Sequence, residues 1–539
     1  MAEPYYITTA IAYPNGRPHI GHAYEAVAAD AIARFQRMQG RDVRFTTGTD
    51  EHGLKMVKTA REQGIEVQAL CDEMSGYFKD MCDRLNISYD RFIRTTEPAH
   101  HAASVAIWEA MKASGDLYLD RYEGWYSVRD EAFYEEKELI AGEGGVKLSP
   151  QGTPVEWTAE ESWFFRLSDY TQKLLDYYAA NPDFIRPESR RNEVLKFVEG
   201  GLRDLSVSRT SFDWGVKVPG SPDHVMYVWV DALTAYMSAL GYPDQTGDWG
   251  KYWPADLHLI GKDIVRFHTV YWPAFLMSAK LPLPKQVFGH GFVLARDGSK
   301  MGKSAGNTAD PLELAERYGV DALRYFFMRE VSFGQDGTWS EEAIVTRCNA
   351  ELANSFGNLA QRVLSMIYKN LDGELPNRYR GTPKFQFKED LIFVDGIVNG
   401  SSLFQDWFAD LELMEALQTW ASNVHAANAY IDLAAPWTLK KNGQNERMGH
   451  VLAYLFISIR ALAITILPIV PESANNILDQ MGIPKAERDY VALANDCHFA
   501  SNTDYIDDTW YDRLRSSDFR LSQPVGIFPR LELPAEADA

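Results

Sequence analysis

Tyr5-Tyr6-Ile7-Thr8-Thr9-Ala10-Ile11-Ala12-Tyr13, then Pro14-Asn15-Gly16-Arg17-Pro18, then His19-Ile20-Gly21-His22 form the stretch that decides the fold. The first nine residues are aromatic, β-branched or small, as in a strand, and Asn15-Gly16 supplies a tight turn. Pro18 suits the start of a helix, where a missing N–H leaves nothing unsatisfied. Beyond it Ala26, Val27, Ala31, Ile32 and Phe35 mark an apolar helical stripe that closes at Gly40, and a second strand is expected from Val43 to Thr47. Strand, turn, helix, strand opens a doubly wound α/β domain of Rossmann-like type. Its parallel sheet binds nucleotides outside the carboxyl ends of the strands.

Outward from this opening, the texture changes between Leu117 and Ser211 to short, aromatic, acidic segments with many turns, as expected of an insertion that splits the α/β domain. Strands are expected again around Val225 to Val230 and Leu257 to Ile260, and helical spacing dominates from Asp310. From Asn349 to Ala494 it is nearly continuous, which predicts an α-helical bundle. Val451 to Val470 is apolar enough to suggest a membrane span, but Arg460 and Pro468 within it favour a buried bundle helix.

With 539 residues, 46% hydrophobic and 24% charged, the chain is too long for one core, and several domains are expected. Lysine and arginine number 54 against 75 acidic residues, a net charge of −21. That sum gives no sign of nucleic acid, yet it leaves room for a local basic groove. Cys71, Cys82, Cys348 and Cys497 are scattered and fit buried thiols in a reducing compartment. No basic leader precedes the first strand, so a cytoplasmic location is expected.

Two segments carry phosphate chemistry. His19 and His22, at i and i+3 in the first helical turn, share a face and can point both imidazoles at one phosphate, beside the N–H groups of the helix end. Gly21 leaves room for a flat base. A lone H-x-G-H is often no more than two surface histidines. Far downstream, Asp297-Gly298-Ser299-Lys300-Met301-Gly302-Lys303-Ser304 is a glycine-rich turn with two lysines three apart, able to bring ammonium groups to a pyrophosphate. A lone K-x-x-K is usually a solvated basic loop, but the two motifs together are harder to dismiss. Asp50 and His52, directly after a hydrophobic strand, stand where the crevice of such a sheet lies.

H-I-G-H followed by K-M-G-K-S resembles the paired signatures of class I aminoacyl-tRNA synthetases, with Gly302 in place of the usual serine. Within that class Thr47-Gly48-Thr49-Asp50-Glu51-His52-Gly53, Trp229-Val230-Asp231-Ala232, Gly261-Lys262-Asp263-Ile264, Phe267-His268 and Tyr271-Trp272-Pro273 resemble the methionine-specific members. The resemblance implies a HUP-type catalytic domain in two halves, 1–116 and 226–296, around a connective insertion, 117–225. The signature loop and stem-contact region, 297–348, would follow, then a helical anticodon-binding domain with a C-terminal tail, 349–539. It also implies ATP-dependent activation of L-methionine to the adenylate, with magnesium, and transfer to initiator and elongator methionine tRNA by a monomer that needs no membrane.

The residue roles are carried over in the same way. His19, His22, Lys300 and Lys303 would be catalytic, and with Gly21, Glu25, Gly261, Asp263, His290, Gly291 and Val293 they would bind ATP. Asp50 would hold the α-ammonium, while Ile11, Tyr13, Trp229, Ala232, Leu233, Tyr236, Ile264, His268 and Trp272 would line the methionine pocket. Aromatic walls suit a polarisable thioether. Asn354, Asn358, Arg362 and Trp437 would read the anticodon, although a tryptophan after Pro436 also fits a buried plug of the bundle. Many members carry zinc knuckles in the insertion; here Ser127, Asp130 and Ser149-Pro150-Gln151 stand at the knuckle positions, so no structural zinc is expected. The alternatives are another class I synthetase, for leucine, isoleucine, valine or cysteine, and an H-x-G-H nucleotidyltransferase that binds no tRNA.

Overall fold

The computed structural model describes residues 2–127, 129, 132–142, 145–296, 298–299, 309–374, 387–497 and 520–534. The chain divides into two compact units, one of residues 4–29 and 43–291 and the other of residues 1–3, 30–42 and 292–539.

The first unit is built on a six-stranded sheet. Strand β1 (Pro4–Thr9) lies at its centre, flanked on one side by β2 (Asp42–Thr49) and β3 (Arg91–Arg94), and on the other by Leu257–Gly261, Val287–His290 and the two-residue edge strand Ile185–Arg186. Its strands pair in parallel: Ile7 faces Leu257, Leu259 faces Phe288, and Thr46 faces Arg91. Successive strands therefore run outward from β1 in one direction and later in the other, which opens a crevice at the carboxyl ends beside β1. Gly48 belongs to this packing, since a Cβ there would collide with the carbonyl oxygen of Ile93.

The helix Ile20–Met38 follows β1, and Gly40 ends it at φ 82°. The run expected as a strand from Val225 to Val230 divides instead: the strand is Ser221–Met226, and Val228 opens the helix Val228–Ser238. Short apolar runs fit a buried helix as well as a strand, and only the longer context separates them. Inside the insertion, Leu117–Ser127 pairs antiparallel with Glu156–Phe165 from Leu117↔Phe165 to Tyr126↔Glu156. A large core of the unit buries Tyr6, Trp108, Phe165, Tyr236, Trp272 and Phe275.

The second unit is helical. Its longest members are Lys388–Ala409, Leu413–Ala434 and Asn445–Ile466. The last is apolar and long enough to cross a membrane, but 89% of its apolar window is buried inside the protein. Arg460 on it is buried and donates to the carbonyl of Glu487. A second buried arginine, Arg324, pairs with Asp30 at 2.6 Å and donates to the carbonyls of Ile469 and Pro468. Stacked Phe35 and Phe408 and the fully buried Trp420, whose Nε1 donates to Leu462, fill the core.

Candidate active site

The loop after β1 places two imidazoles at the start of a helix. The N–H of Gly21 donates to Nδ1 of His19 and the N–H of His19 donates to Nδ1 of His22, both at 3.1 Å. With each Nδ1 accepting, the neutral ring carries its hydrogen on Nε2, so both rings present an N–H donor away from the backbone. The rings lie 3.9 Å apart, and Phe78 holds His22 edge-on. A Cβ at residue 21 would stand 2.9 Å from Cε1 of His19, so glycine is what allows the first ring to fold back over the turn.

Across β1, the neighbouring strand ends in Gly261, whose register partner is His290. Nε2 of His290 donates to Glu25 and Nδ1 donates to the carbonyl of Gly291, both at 2.8 Å. Burial disfavours the charged ring, but the Glu25 carboxylate outweighs it, and the His290 pKa is raised above its ordinary value. Asp263 lies in the turn that follows, and a Cβ on Gly261 would crowd its carboxylate at 2.9 Å. His19, Gly21, His22, Glu25, Gly261, Asp263, His290 and Gly291 thus meet at one end of the sheet. Val293 belongs to the other unit, where it pairs with Gly337 in a two-stranded parallel ladder. Lys300 and Lys303 lie outside the described residues.

On the opposite flank of β1, Asp50 directly follows β2 and is buried, with its N–H on the carbonyl of Ala12 at 2.9 Å. That bond holds the Asp50 backbone against Ala12, the residue between Ile11 and Tyr13. Ile11 packs on Ala235 and Ala239, and Tyr13 packs on the cluster of Met56, Ala60, Leu70 and Cys71. The helix Val228–Ser238 brings Trp229, Ala232, Leu233 and Tyr236. Trp229 stacks on Phe267 at 3.8 Å, while the Tyr236 hydroxyl meets Nε2 of His268 at 2.7 Å. Nδ1 of His268 is 3.0 Å from the carbonyl of Ile264. Leu233 and Trp272 are core side chains, 1% and 0% exposed. Phe267–Tyr271 is a π-helical turn, so His268 and Trp272 are not spaced as an α-helix would space them.

At the knuckle positions, Ser127 and Ser149 both reach the Thr153 hydroxyl, at 2.7 and 2.8 Å, and Ser149 also accepts the Gln151 N–H. All three hydroxyl residues are buried. Asp130 lies outside the described residues, among which no group of three His, Cys, Asp or Glu side chains is placed to hold a metal.

In the helical unit, the guanidinium of Arg362 lies over the Trp437 ring at 5.3 Å and pairs with Asp432 at 2.9 Å. Trp437 is 44% exposed and so does not plug the bundle. Asn354 and Asn358 are exposed, with the Asn358 amide on the carbonyl of Asn354. The even face expected from their spacing is altered, because Cys348–Gly357 is π-helical and only Asn358–Asn370 is α-helical.

Sequence reasoning missed a buried network behind Asp50. Asp231 joins His52 and His100, and Glu51 joins Arg94, Thr49 and Thr96. The signal was a lone acid in the apolar run Val228 to Tyr236, together with the pair His100-His101.

The family model described as tRNA synthetases class I (M) matches residues 5–364. A Methionine--tRNA ligase of Brucella suis is 55% identical over 91% of this chain and 94% of its own length. One of Rhizobium meliloti is 52% identical over 99% of both. The structure of Mycobacterium tuberculosis methionyl-tRNA synthetase in complex with methionyl-adenylate superposes with a TM-score of 0.89 at 50% identity, covering 98% of this chain and all of that one. A crevice of nucleotide-binding type, a buried Asp50 and full-length relatives at this identity agree: the chain belongs to the class I tRNA synthetases of the methionine type.

Proposed function

We propose that the protein activates L-methionine with ATP and esterifies it to the 3′ end of methionine tRNA. The observation that carries this reading is the pair His19 and His22, whose Nδ1 atoms both accept backbone N–H groups and whose Nε2 atoms face away from the backbone, beside β1 at the head of a helix.

ATP enters as its magnesium complex, along Gly21, Glu25, Gly261, Asp263, His290, Gly291 and Val293. Asp50 holds the α-ammonium, and Ile11, Tyr13, Trp229, Ala232, Tyr236, Ile264 and His268 receive the side chain, backed by Leu233 and Trp272. A methionine carboxylate oxygen attacks the α-phosphorus, the bond to the bridging oxygen breaks, and pyrophosphate leaves with the electron pair. His19 and His22 donate to the phosphate as charge moves, and Lys300 and Lys303 stabilise the leaving group. The terminal adenosine hydroxyl of tRNA then attacks the adenylate carbonyl, and AMP departs.

Residues 1–116 and 226–296 carry the chemistry, 117–225 form the connective insertion, 297–348 the signature loop and stem contact, and 349–539 the anticodon-binding part. There Asn354, Asn358, Arg362 and Trp437 meet unpaired bases of both initiator and elongator tRNA. The protein acts in the cytoplasm as a monomer, without structural zinc and without a membrane. The test is charging of purified tRNA with labelled methionine. Base-labile label on methionine tRNA alone is expected, and label on isoleucine or valine tRNA contradicts the assignment.

A further inference from the structure

Val228–Ser238 is buried at every position except Trp229, and Asp231 is its one charged residue. A carboxylate in such a place is costly unless both oxygens are hydrogen-bonded, and replacing a buried ion pair with apolar side chains is often neutral or stabilising. Packing alone therefore does not call for an acid here. Both oxygens are met by imidazoles at 2.6 Å, Oδ2 by Nδ1 of His52 and Oδ1 by Nε2 of His100. Burial raises the Asp231 pKa, but the two imidazoles outweigh it and hold the carboxyl below the ordinary carboxylate range. His100, on the helix Pro98–Ala113, is braced in turn by the Ser238 hydroxyl at 2.9 Å.

The two ends of this bridge belong to different walls of the site. Asp231 sits on the helix of Trp229, Ala232 and Tyr236, the side-chain pocket. His52 lies two residues after Asp50, the proposed ammonium partner. Between them Glu51 is tied to Arg94 at 2.7 and 3.0 Å, and its carbonyl accepts Nε1 of Trp214 at 2.7 Å. Gly53 follows at φ 107°, a conformation open to glycine, and the helix Leu54–Gln63 begins directly after it.

We propose that Asp231 is a positioning residue: by bridging His52 and His100 it latches the side-chain pocket to the segment that carries Asp50, and so sets the distance between the ammonium and side-chain subsites. It touches no substrate. The proposal rests on the methionine-activation reading, and the test separates the two.

Methionine-dependent ATP–pyrophosphate exchange is measured for the wild-type protein, Asp231→Asn, His52→Ala and His52→Asn, with melting temperatures alongside. In Asp231→Asn and His52→Ala, the methionine KM should rise at least about tenfold while the ATP KM stays within about twofold, because a loosened latch spoils orientation of one substrate. His52→Asn, whose amide N–H stands where Nδ1 stood, should recover most of that loss. Methionine and ATP KM rising in parallel, an unchanged methionine KM, or equal defects in His52→Ala and His52→Asn would each overturn the latch. If Asp231→Asn does not fold, the His52 pair decides by the same criteria. A wild-type protein without methionine-dependent exchange overturns the functional reading and the latch with it, whereas normal wild-type exchange with unaltered variants overturns the latch alone.

Discussion

The Tyr236 hydroxyl donates to Nε2 of His268 at 2.7 Å, while Nδ1 of the same ring donates to the carbonyl of Ile264 at 3.0 Å. The two bonds fix one neutral tautomer, and burial depresses the His268 pKa to about 4. The proposed side-chain pocket would therefore be walled by aromatic faces and an uncharged imidazole, an environment that favours a thioether over a charged or strongly hydrated group.

A depressed histidine pKa makes stability depend on acid. Its contribution is fully present above the ordinary value of 6.5, declines as the unfolded chain takes up the proton first, and is lost as pH falls through about 4. On the order of 3 kcal/mol is at stake for this fully buried ring. Tyr236→Phe leaves Nε2 without its donor, at about 1–3 kcal/mol. Thermal melts from pH 7 to pH 4 should show both, a falling melting temperature in the wild type and a lower plateau in the variant. An acid-insensitive wild type contradicts the assignment.

His290, paired with Glu25, carries the opposite sign. The His290 pKa is raised, so its stabilisation is present below 6.5 and disappears as pH rises through the folded value. Glu25→Gln removes the carboxylate that outweighs burial, and a hydrogen bond to a charged group is worth about 1.5–3 kcal/mol. The variant should melt lower at neutral pH and lose the alkaline decline, with a raised ATP KM. A wild-type alkaline decline that survives in Glu25→Gln would show that another group causes it.

Ser127 and Ser149, which stand at the expected knuckle positions, join Thr153 in a buried hydroxyl cluster. Elemental analysis should find well under one zinc per chain, chelator should leave the melting temperature unchanged, and Thr153→Val should cost about 1–3 kcal/mol by stranding two buried hydroxyls. Stoichiometric zinc that survives chelation, with unfolding on its removal, contradicts this.

What could be read from sequence was local. The strand, turn and helix from Tyr5 to Phe35 lie within one short stretch, and each residue's preference agrees with the fold. Val228 to Val230 suits a strand as well as a helix, because an apolar run carries no period of its own. The π-helical turns at Phe267–Tyr271 and Cys348–Gly357 are set by packing and shift side chains without changing the apolar spacing. The edge strand Ile185–Arg186 is two residues long and leaves no signature. The site divides in the same way. His19 and His22 announce themselves in four residues, but the latch joins His52 to Asp231 across 179 positions, and nothing in either neighbourhood names the other.

Trp437 separates RNA reading from folding. At 44% exposure its removal should change stability by no more than about 0.5 kcal/mol. A stacked base is worth about 1–3 kcal/mol. Trp437→Ala should keep its melting temperature and methionine activation while the tRNA KM rises about tenfold or more. Collapse of melting, activation and charging together would make it a core residue.

The most direct test of the whole account is ATP–pyrophosphate exchange with each of the twenty standard amino acids, under magnesium and without tRNA. Exchange that depends on methionine, with isoleucine, leucine and valine at least about a hundredfold lower in kcat/KM, is the expected result, because a pocket shaped for an unbranched thioether rejects branching by shape and orientation. Equal exchange with a branched amino acid, or none with methionine, would contradict it.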